Sequence, residues 1–322
     1  GKGGGSQPQP PNRQAKLVGH SGTVSCLTVH EEGKCLYSGS TDGTVRVWSW
    51  ESGFAEKFPG GIQAGGPIEC LLLFHPWLFA GLAQQGAVNG MIKVWNVDSG
   101  FEQTLEGHKG TVFCLEQGGT YLFSGGDDCG VKLWQYTEAA TGGSFAPVVE
   151  LAGHQACIQD MKVMAEASVL ISADRGGHIA TWGYGESNAS PTPLLVFATG
   201  HTNLMSIWVE ETILFSAGLD GHVKVWDGAG TLLYDHAVLT QQQTPSGVTS
   251  IAVVPNNTDG VMVTACQDKA IKLWTMPNFS KRGILGQRAG HTDVVRCIAK
   301  GPGNSFFTGS MDASICVWEF PP

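Results

Sequence analysis

Seven times along this chain a strand-like run, a tight turn and a second strand-like run end on a tryptophan. The most regular copy is residues 38–48, SGSTDGTVRVW, where Asp42-Gly43 makes the turn and Trp48 closes the second run. Looser copies are FAGLAQQGAVNGMIKVW (79–95), FSGGDDCGVKLW (123–134), ISADRGGHIATW (171–182), FSAGLDGHVKVW (215–226), VTACQDKAIKLW (263–274) and FTGSMDASICVW (307–318). The tryptophans lie 39 to 48 residues apart. A fixed period in this range marks a repeat array, in which each unit is too small to bury its apolar faces and must stack on its neighbours.

Composition narrows the kind of array. Of 322 residues 45 are glycine and only 15% are charged. Short period-2 runs bounded by Gly, Asp, Asn and Pro recur throughout, and helical periodicity is nowhere sustained, so the chain reads as all-β. The formal charge is −9, which argues against binding nucleic acid by bulk phosphate neutralisation. Nine cysteines, an odd number with no CxxC, sit mostly inside apolar strands and read as buried reduced thiols, hence an intracellular protein of the nucleus or cytoplasm. No apolar run is long enough for a membrane span and no signal-peptide pattern is present.

Residues 1–12, GKGGGSQPQPPN, form a flexible Gly/Pro/Gln linker, and residues 13–322 hold the repeats. The chain does not begin with Met, and a linker ahead of the first repeat leads one to expect a further domain upstream. After each tryptophan come a turn, an outer strand, a Gly-His pair in five of the seven units, and an apolar strand, which makes four strands per unit. The last unit stops just after Trp318 and lacks its fourth strand, while a spare strand-like segment (13–18) precedes His20. Pairing that N-terminal strand with the last unit closes a ring and leaves no open junction between units.

Seven turn-and-Trp repeats in phase, five of them opened by Gly-His, resemble the WD-repeat β-propeller family over about residues 13–320. The resemblance implies a seven-bladed β-propeller of four-stranded antiparallel blades. Trp is followed by Asp only at Trp226-Asp227, a departure from the family's second letter. A narrower likeness is carried by HPWLFAGL (75–82), GMIKVWNVDSG (90–100), MPNFSKRGILG (276–286) and GPGNSFFTGSMDASICVWEF (301–320). These resemble the propeller of plant and algal proteins that join a CCCH zinc finger to WD repeats. The finger is absent from this chain, so the resemblance implies that any RNA contact comes through a domain outside it.

In such a repeat His, Ser/Thr, Asp and Trp can form one hydrogen-bonded chain, because the indole N–H only donates, a carboxylate only accepts, and hydroxyl and neutral imidazole do both. Four units hold the full set: His20/Ser38/Asp42/Trp48, His108/Ser124/Asp128/Trp134, His201/Ser216/Asp220/Trp226 and His291/Thr308/Asp312/Trp318. The fourth unit keeps His154, Ser172 and Trp182 but has Gly176 at the Asp position; the sixth has no His; the second has Ala80 and Asn89 and no Gly-His. These sets look like catalytic triads, but a nucleophile has to be exposed and activated, and four equivalent copies read as framework.

No nucleophile elbow, P-loop, dinucleotide fingerprint, HExxH or EF-hand is present, so no enzyme, metal or cofactor is expected. What remains is surface. In WD-repeat proteins three positions per blade ring the top face: three and five residues after the Gly-His histidine, and the residue before the turn Asp. Here they are Thr23, Ser25 and Thr41; Pro67, Glu69 and Val88; Thr111, Phe113 and Asp127; Cys157, Gln159 and Arg175; Leu204, Ser206 and Leu219; Gly247, Thr249 and Gln267; Val294, Arg296 and Met311. Phe113, Leu204, Leu219, Val294 and Met311 put apolar groups there, Arg175 and Arg296 are the cations, and Asp127 adds an acid, a mixture that reads as an interaction patch. An insertion at 83–88 in the second unit and a long loop at 236–247 are second candidates.

The expected function is a non-enzymatic scaffold that binds a protein or peptide on the top face, as a monomeric domain or a subunit of a complex. A direct RNA-recognition module is one competing reading, which the acidic charge opposes. A ubiquitin-ligase substrate receptor is another; the Trp-Asp-x-Arg of such receptors is missing, since Trp226-Asp227 is followed by Gly228-Ala229.

Overall fold

The structure, a computed structural model, describes residues 9–138, 143–185, 190–256, 259–285 and 290–321. Most of the expected linker, residues 1–8, lies outside the described residues. The chain forms seven antiparallel sheets arranged as the blades of a β-propeller, and the one helical element among the described residues is a single 3-10 turn, Trp50–Ser52. Blade three shows the plan: Val112–Gly118 is innermost, followed outward by Tyr121–Gly126, Val131–Thr137 and Ser144–Leu151. Blade one departs slightly, because its outer strand is broken into Ala55–Glu56 and Ile62–Gln63, both paired with Thr44–Ser49.

Ring closure follows the expected route. Asn12–Val18 pairs antiparallel with Ser314–Glu319, with Asn12 opposite Glu319 and Val18 opposite Ser314, and so completes blade seven. The strand begins at Asn12, one residue before the expected start at Arg13.

The core is divided as the ring is. Among the described residues seven apolar clusters occur, one between each pair of adjacent blades. Each repeat tryptophan belongs to the cluster that seals its blade against the preceding one: Trp134 packs with Phe79 and Ile92 of blade two, and Trp48 packs with Phe307 and Ile315 of blade seven. The recurrence of Trp therefore has a packing cause, since one large buried ring fills each wedge-shaped junction.

Within five blades the indole also anchors the polar chain. In blade one Trp48 Nε1–H donates to Ser38 Oγ (2.9 Å), Ser38 meets His20 Nε2 (2.8 Å), and His20 Nδ1 meets Asp42 Oδ2 (3.0 Å). Blades three, five and seven repeat it through Ser124, Ser216 and Thr308. Blade four corrects the sequence expectation. Asp174, not a residue at 176, accepts from His154 Nδ1 at 2.8 Å, while Ser172 joins His154 (2.7 Å) and Trp182 (2.8 Å). Asp174 lies two residues earlier, at the end of its strand, and is fully buried. In blade six, which has no histidine, Lys272 turns inward and pairs with Asp268 at 2.7 Å with its side chain 3% exposed.

Candidate functional site

The inner strands frame a central channel, and each carries a β-bulge where it enters at the top. The register slips between Val24 and Cys26, Ile68 and Cys70, Val112 and Cys114, Ile158 and Asp160, Leu204 and Ser206, Val248 and Ser250, and Val295 and Cys297. A bulge leaves one residue unopposed and re-aims its side chain. The seven extra residues are Ser25, Glu69, Phe113, Gln159, Met205, Thr249 and Arg296, and all seven line the channel cavity of about 210 Å³.

A second ring of residues surrounds the first. The backbone N–H of Thr41, Ala83, Asp127, Arg175, Leu219, Gln267 and Met311 donates to the carbonyl of Thr23, Pro67, Thr111, Cys157, Asn203, Gly247 and Val294 respectively, at 2.8–3.0 Å. This repeated contact defines the rim and corrects two blades. Leu204 is fully buried in the cluster between blades four and five, the place of Val24 in blade one, and so is not a rim residue. The loop after His201 is one residue shorter than the loop after His20, which moves the rim positions of blade five to Asn203 and Met205. In blade two Ala83 takes the place expected for Val88, and Val88 is 55% exposed on the inserted hairpin, bridged to Gln85. The loop expected from residue 236 begins later, since the outer strand of blade five runs to Ala237.

The other rim residues are where the sequence places them. Asp127 and Met311 are exposed; Phe113, Arg175, Leu219, Val294 and Arg296 are half-buried. Three come together across blades three and four. The Arg175 guanidinium lies 5.3 Å from the Phe113 ring centroid and donates to Gln159 Oε1 at 2.8 Å. A guanidinium held on an aromatic face and fixed by an amide is pre-oriented for an incoming acceptor. Glu69 faces the same opening: burial pushes its carboxyl up, against the pull of Arg296 and Arg175. The mouth therefore joins two cations, one carboxyl and an aromatic ring, none of which the framework repeats.

Deeper in the channel the walls are stitched together. Asp160 accepts from the Ile207 N–H of the next blade at 2.8 Å and from Ser206 Oγ at 3.2 Å, and pairs with Lys162 at 2.8 Å. At the equivalent position four blades use cysteine, and each cysteine stands opposite a glycine: Cys26 opposite Gly39, Cys70 opposite Gly81, Cys114 opposite Gly125 and Cys297 opposite Gly309. The other three blades pair Asp160, Ser206 and Ser250 with alanines. A Cβ built on Gly39 would lie 2.6 Å from Cys26 Sγ, so the sulfur occupies the space the glycine leaves. Burial pushes these thiols up, Cys297 to about 12, and so disfavours the reactive thiolate.

The triad-like sets hold no accessible nucleophile. Ser38, Ser124, Ser172, Ser216 and Thr308 are fully buried, and each hydroxyl already accepts from an indole. No helix among the described residues is long and apolar enough to cross a membrane.

A ring of seven blades, five of them holding a His–Ser/Thr–Trp chain, defines a WD-repeat propeller, and the sequence comparison agrees. The chain belongs to the family described as WD domain, G-beta repeat, which matches residues 11–49, 100–135, 192–227, 236–275 and 283–319. Each matched segment ends one residue past a repeat tryptophan. Among its relatives, a zinc finger CCCH domain-containing protein 17 of Oryza sativa subsp. japonica is 29% identical over 305 residues, covering 94% of this chain and 65% of the relative. Zinc finger CCCH domain-containing protein 48 of Arabidopsis thaliana is 29% identical, with 95% and 66% covered, and the nuclear distribution protein nudF of Emericella nidulans is 25% identical, with 96% and 62% covered. The chain thus spans about two thirds of the length of these relatives. Its fold is similar to the WD40 β-propeller domain of Doa1, with a TM-score of 0.77 at 21% identity over 97% of each chain. Propellers of this family are typical of protein-interaction scaffolds.

Proposed function

We propose that this propeller is a non-enzymatic scaffold that binds a protein or peptide partner at the mouth of its central channel. The observation that carries this reading is the Arg175–Phe113–Gln159 assembly, an oriented cation at an opening that also holds Arg296 and Glu69. A partner presenting a carboxylate or backbone carbonyls meets a preset donor there, and Leu219, Val294 and Met311 add apolar contact around it. Asp127, at the edge of the same sector, disfavours acidic neighbours in the partner and so adds selectivity. Likeness to zinc finger CCCH domain-containing proteins supports a wider form of this reading, in which the propeller is part of an RNA-associated protein of the nucleus or cytoplasm.

Arg175→Glu combined with Leu219→Asp tests it. In a pull-down from the source organism the variant should lose the partners captured by the parent, with the melting temperature nearly unchanged. Unaltered capture by a folded variant would reject binding at the mouth.

A further inference from the structure

Charge is distributed unevenly around the ring. Residues 112–237, which build blades three to five, contain 14 Asp and Glu against 4 Lys and Arg, a net of −10, whereas the rest of the chain has 14 acidic and 15 basic residues, a net of +1. The four cations of the acidic sector are engaged internally. Lys132 pairs with Glu150, Lys162 with Asp160, Lys224 donates to the Thr199 carbonyl, and Arg175 is held by Gln159 and Phe113.

Several of the acids face water. Glu166 is exposed in the turn joining Ile158–Met164 to Val169–Asp174, and Glu210 and Glu211 are exposed where Leu204–Glu210 turns into Ile213–Gly218. Trp208 Nε1–H donates to Glu210 Oε2 at 3.0 Å and steadies that carboxylate. These turns join the first strand of a blade to the second, so antiparallel order puts them on the lower face, opposite the channel mouth. The turns from third to fourth strand lie there too, and beside them are exposed aliphatic side chains. Leu194 (63% exposed) precedes the outer strand Leu195–Ala198 of blade four, and Leu232 (46%) and Leu233 (53%) open the outer strand Leu232–Ala237 of blade five. Among the described residues that outer strand pairs only with His222–Trp226, so its other edge is open. The corresponding strands of blades two and six begin Glu102-Gln103 and Ser280-Lys281, so neither opens on an aliphatic pair.

We propose that the lower face of blades four and five docks a basic segment of a partner protein in which Lys or Arg alternates with aliphatic residues. The cations meet Glu166, Glu210 and Glu211, and the aliphatic side chains cover Leu194, Leu232 and Leu233. An extended segment suits an open strand edge, because alternate side chains then point to the same side. Charge selects this occupant: the acids repel nucleic acid, and a second copy would bring two like-charged faces together.

The test uses a fluorescein-labelled synthetic peptide alternating Lys and Leu, a Glu–Leu peptide of equal length, and a labelled single-stranded RNA. Each is titrated into the full chain by fluorescence anisotropy at low and physiological salt. The Lys–Leu peptide should bind, more weakly as salt rises, and the other two should not. Its Kd should rise about tenfold or more in Glu166→Lys/Glu210→Lys/Glu211→Lys and in Leu194→Ser/Leu232→Ser/Leu233→Ser, and stay unchanged in the mouth variant Arg175→Glu/Arg296→Glu. If a triple variant melts early, Glu166→Lys and Glu211→Lys singly should each weaken binding in the same direction. Unchanged affinity in the lower-face variants, loss only in the mouth variant, or RNA binding that the leucine variant abolishes would overturn the proposal. So would a dimer in sedimentation that the leucine variant dissolves, since the face would then belong to a second copy.

Discussion

Asp174 shows what a repeated hydrogen-bond chain tolerates. It sits two residues before the position used by Asp42, yet its carboxylate reaches His154 and takes the His178 N–H as well. Removing it leaves a buried imidazole donor unmatched, so Asp174→Ala should cost about 1–3 kcal/mol in urea unfolding. Adding Gly176→Asp to that variant should restore at least half of the loss, because it rebuilds the arrangement of blade one; no recovery would show that the two positions are not interchangeable. The same chains set the pH response. Burial acts to raise Asp42, Asp128 and Asp312, but donation from neighbouring hydroxyl, backbone and imidazole groups outweighs it and holds each at about 2. A depressed carboxylate stabilises the fold above its unfolded pKa of roughly 4 and stops doing so as pH falls towards 2. Burial lowers His20 and His291 against the pull of Asp42 and Asp312, so their contribution is complete above pH of about 6.5 and declines below it. Denaturation midpoints measured from pH 8 to pH 2 should therefore fall in two stages, below about 6.5 and again below about 4. A flat profile down to pH 4 would contradict the role given to the two histidines.

Strands and loops were legible to different degrees. The closing strand was readable because the last repeat was short by one strand and an unassigned strand-like segment stood at the other end. Leu17 shows how that segment earns its place: it is buried in the cluster between blades seven and one, with Val24, Trp48 and Ile315. Leu17→Ala should cost about 2–5 kcal/mol, and deleting residues 12–18 should lower the melting temperature far more, by exposing the edge of Ser314–Glu319. A deletion variant that melts like the parent would rule out closure by this strand. The rim was less legible. Counting from the histidine assumes loops of constant length, and the loop after His201 is one residue short, so Leu204 fell on the core side of the strand, where a one-residue slip reverses which way a side chain faces. The insertion in blade two displaced the count in the same way, which is why Ala83 rather than Val88 lies on the rim. Bulges and the pairing of cysteine with glycine carry no local sequence mark, since Gly39 and Cys26 meet only once the strands are in register.

At the scale of the whole molecule two patterns are superimposed. One repeats: a tryptophan at every blade junction, a polar chain inside most blades, a bulge at the top of every inner strand. The other does not: the cations, carboxyl and aromatic ring at the mouth belong to particular blades, and the surplus negative charge belongs to one side of the ring. Repetition accounts for the stability of the scaffold, and departures from it mark the surfaces available for recognition. The most direct measurement is hydrogen exchange on the chain alone and with its affinity-purified partner. Binding at the mouth requires new protection at the tops of the inner strands of blades two, three, four and seven, around Glu69, Phe113, Gln159 and Arg296, and in the turn that carries Arg175. Protection that leaves these segments unchanged while appearing elsewhere on the ring would contradict it.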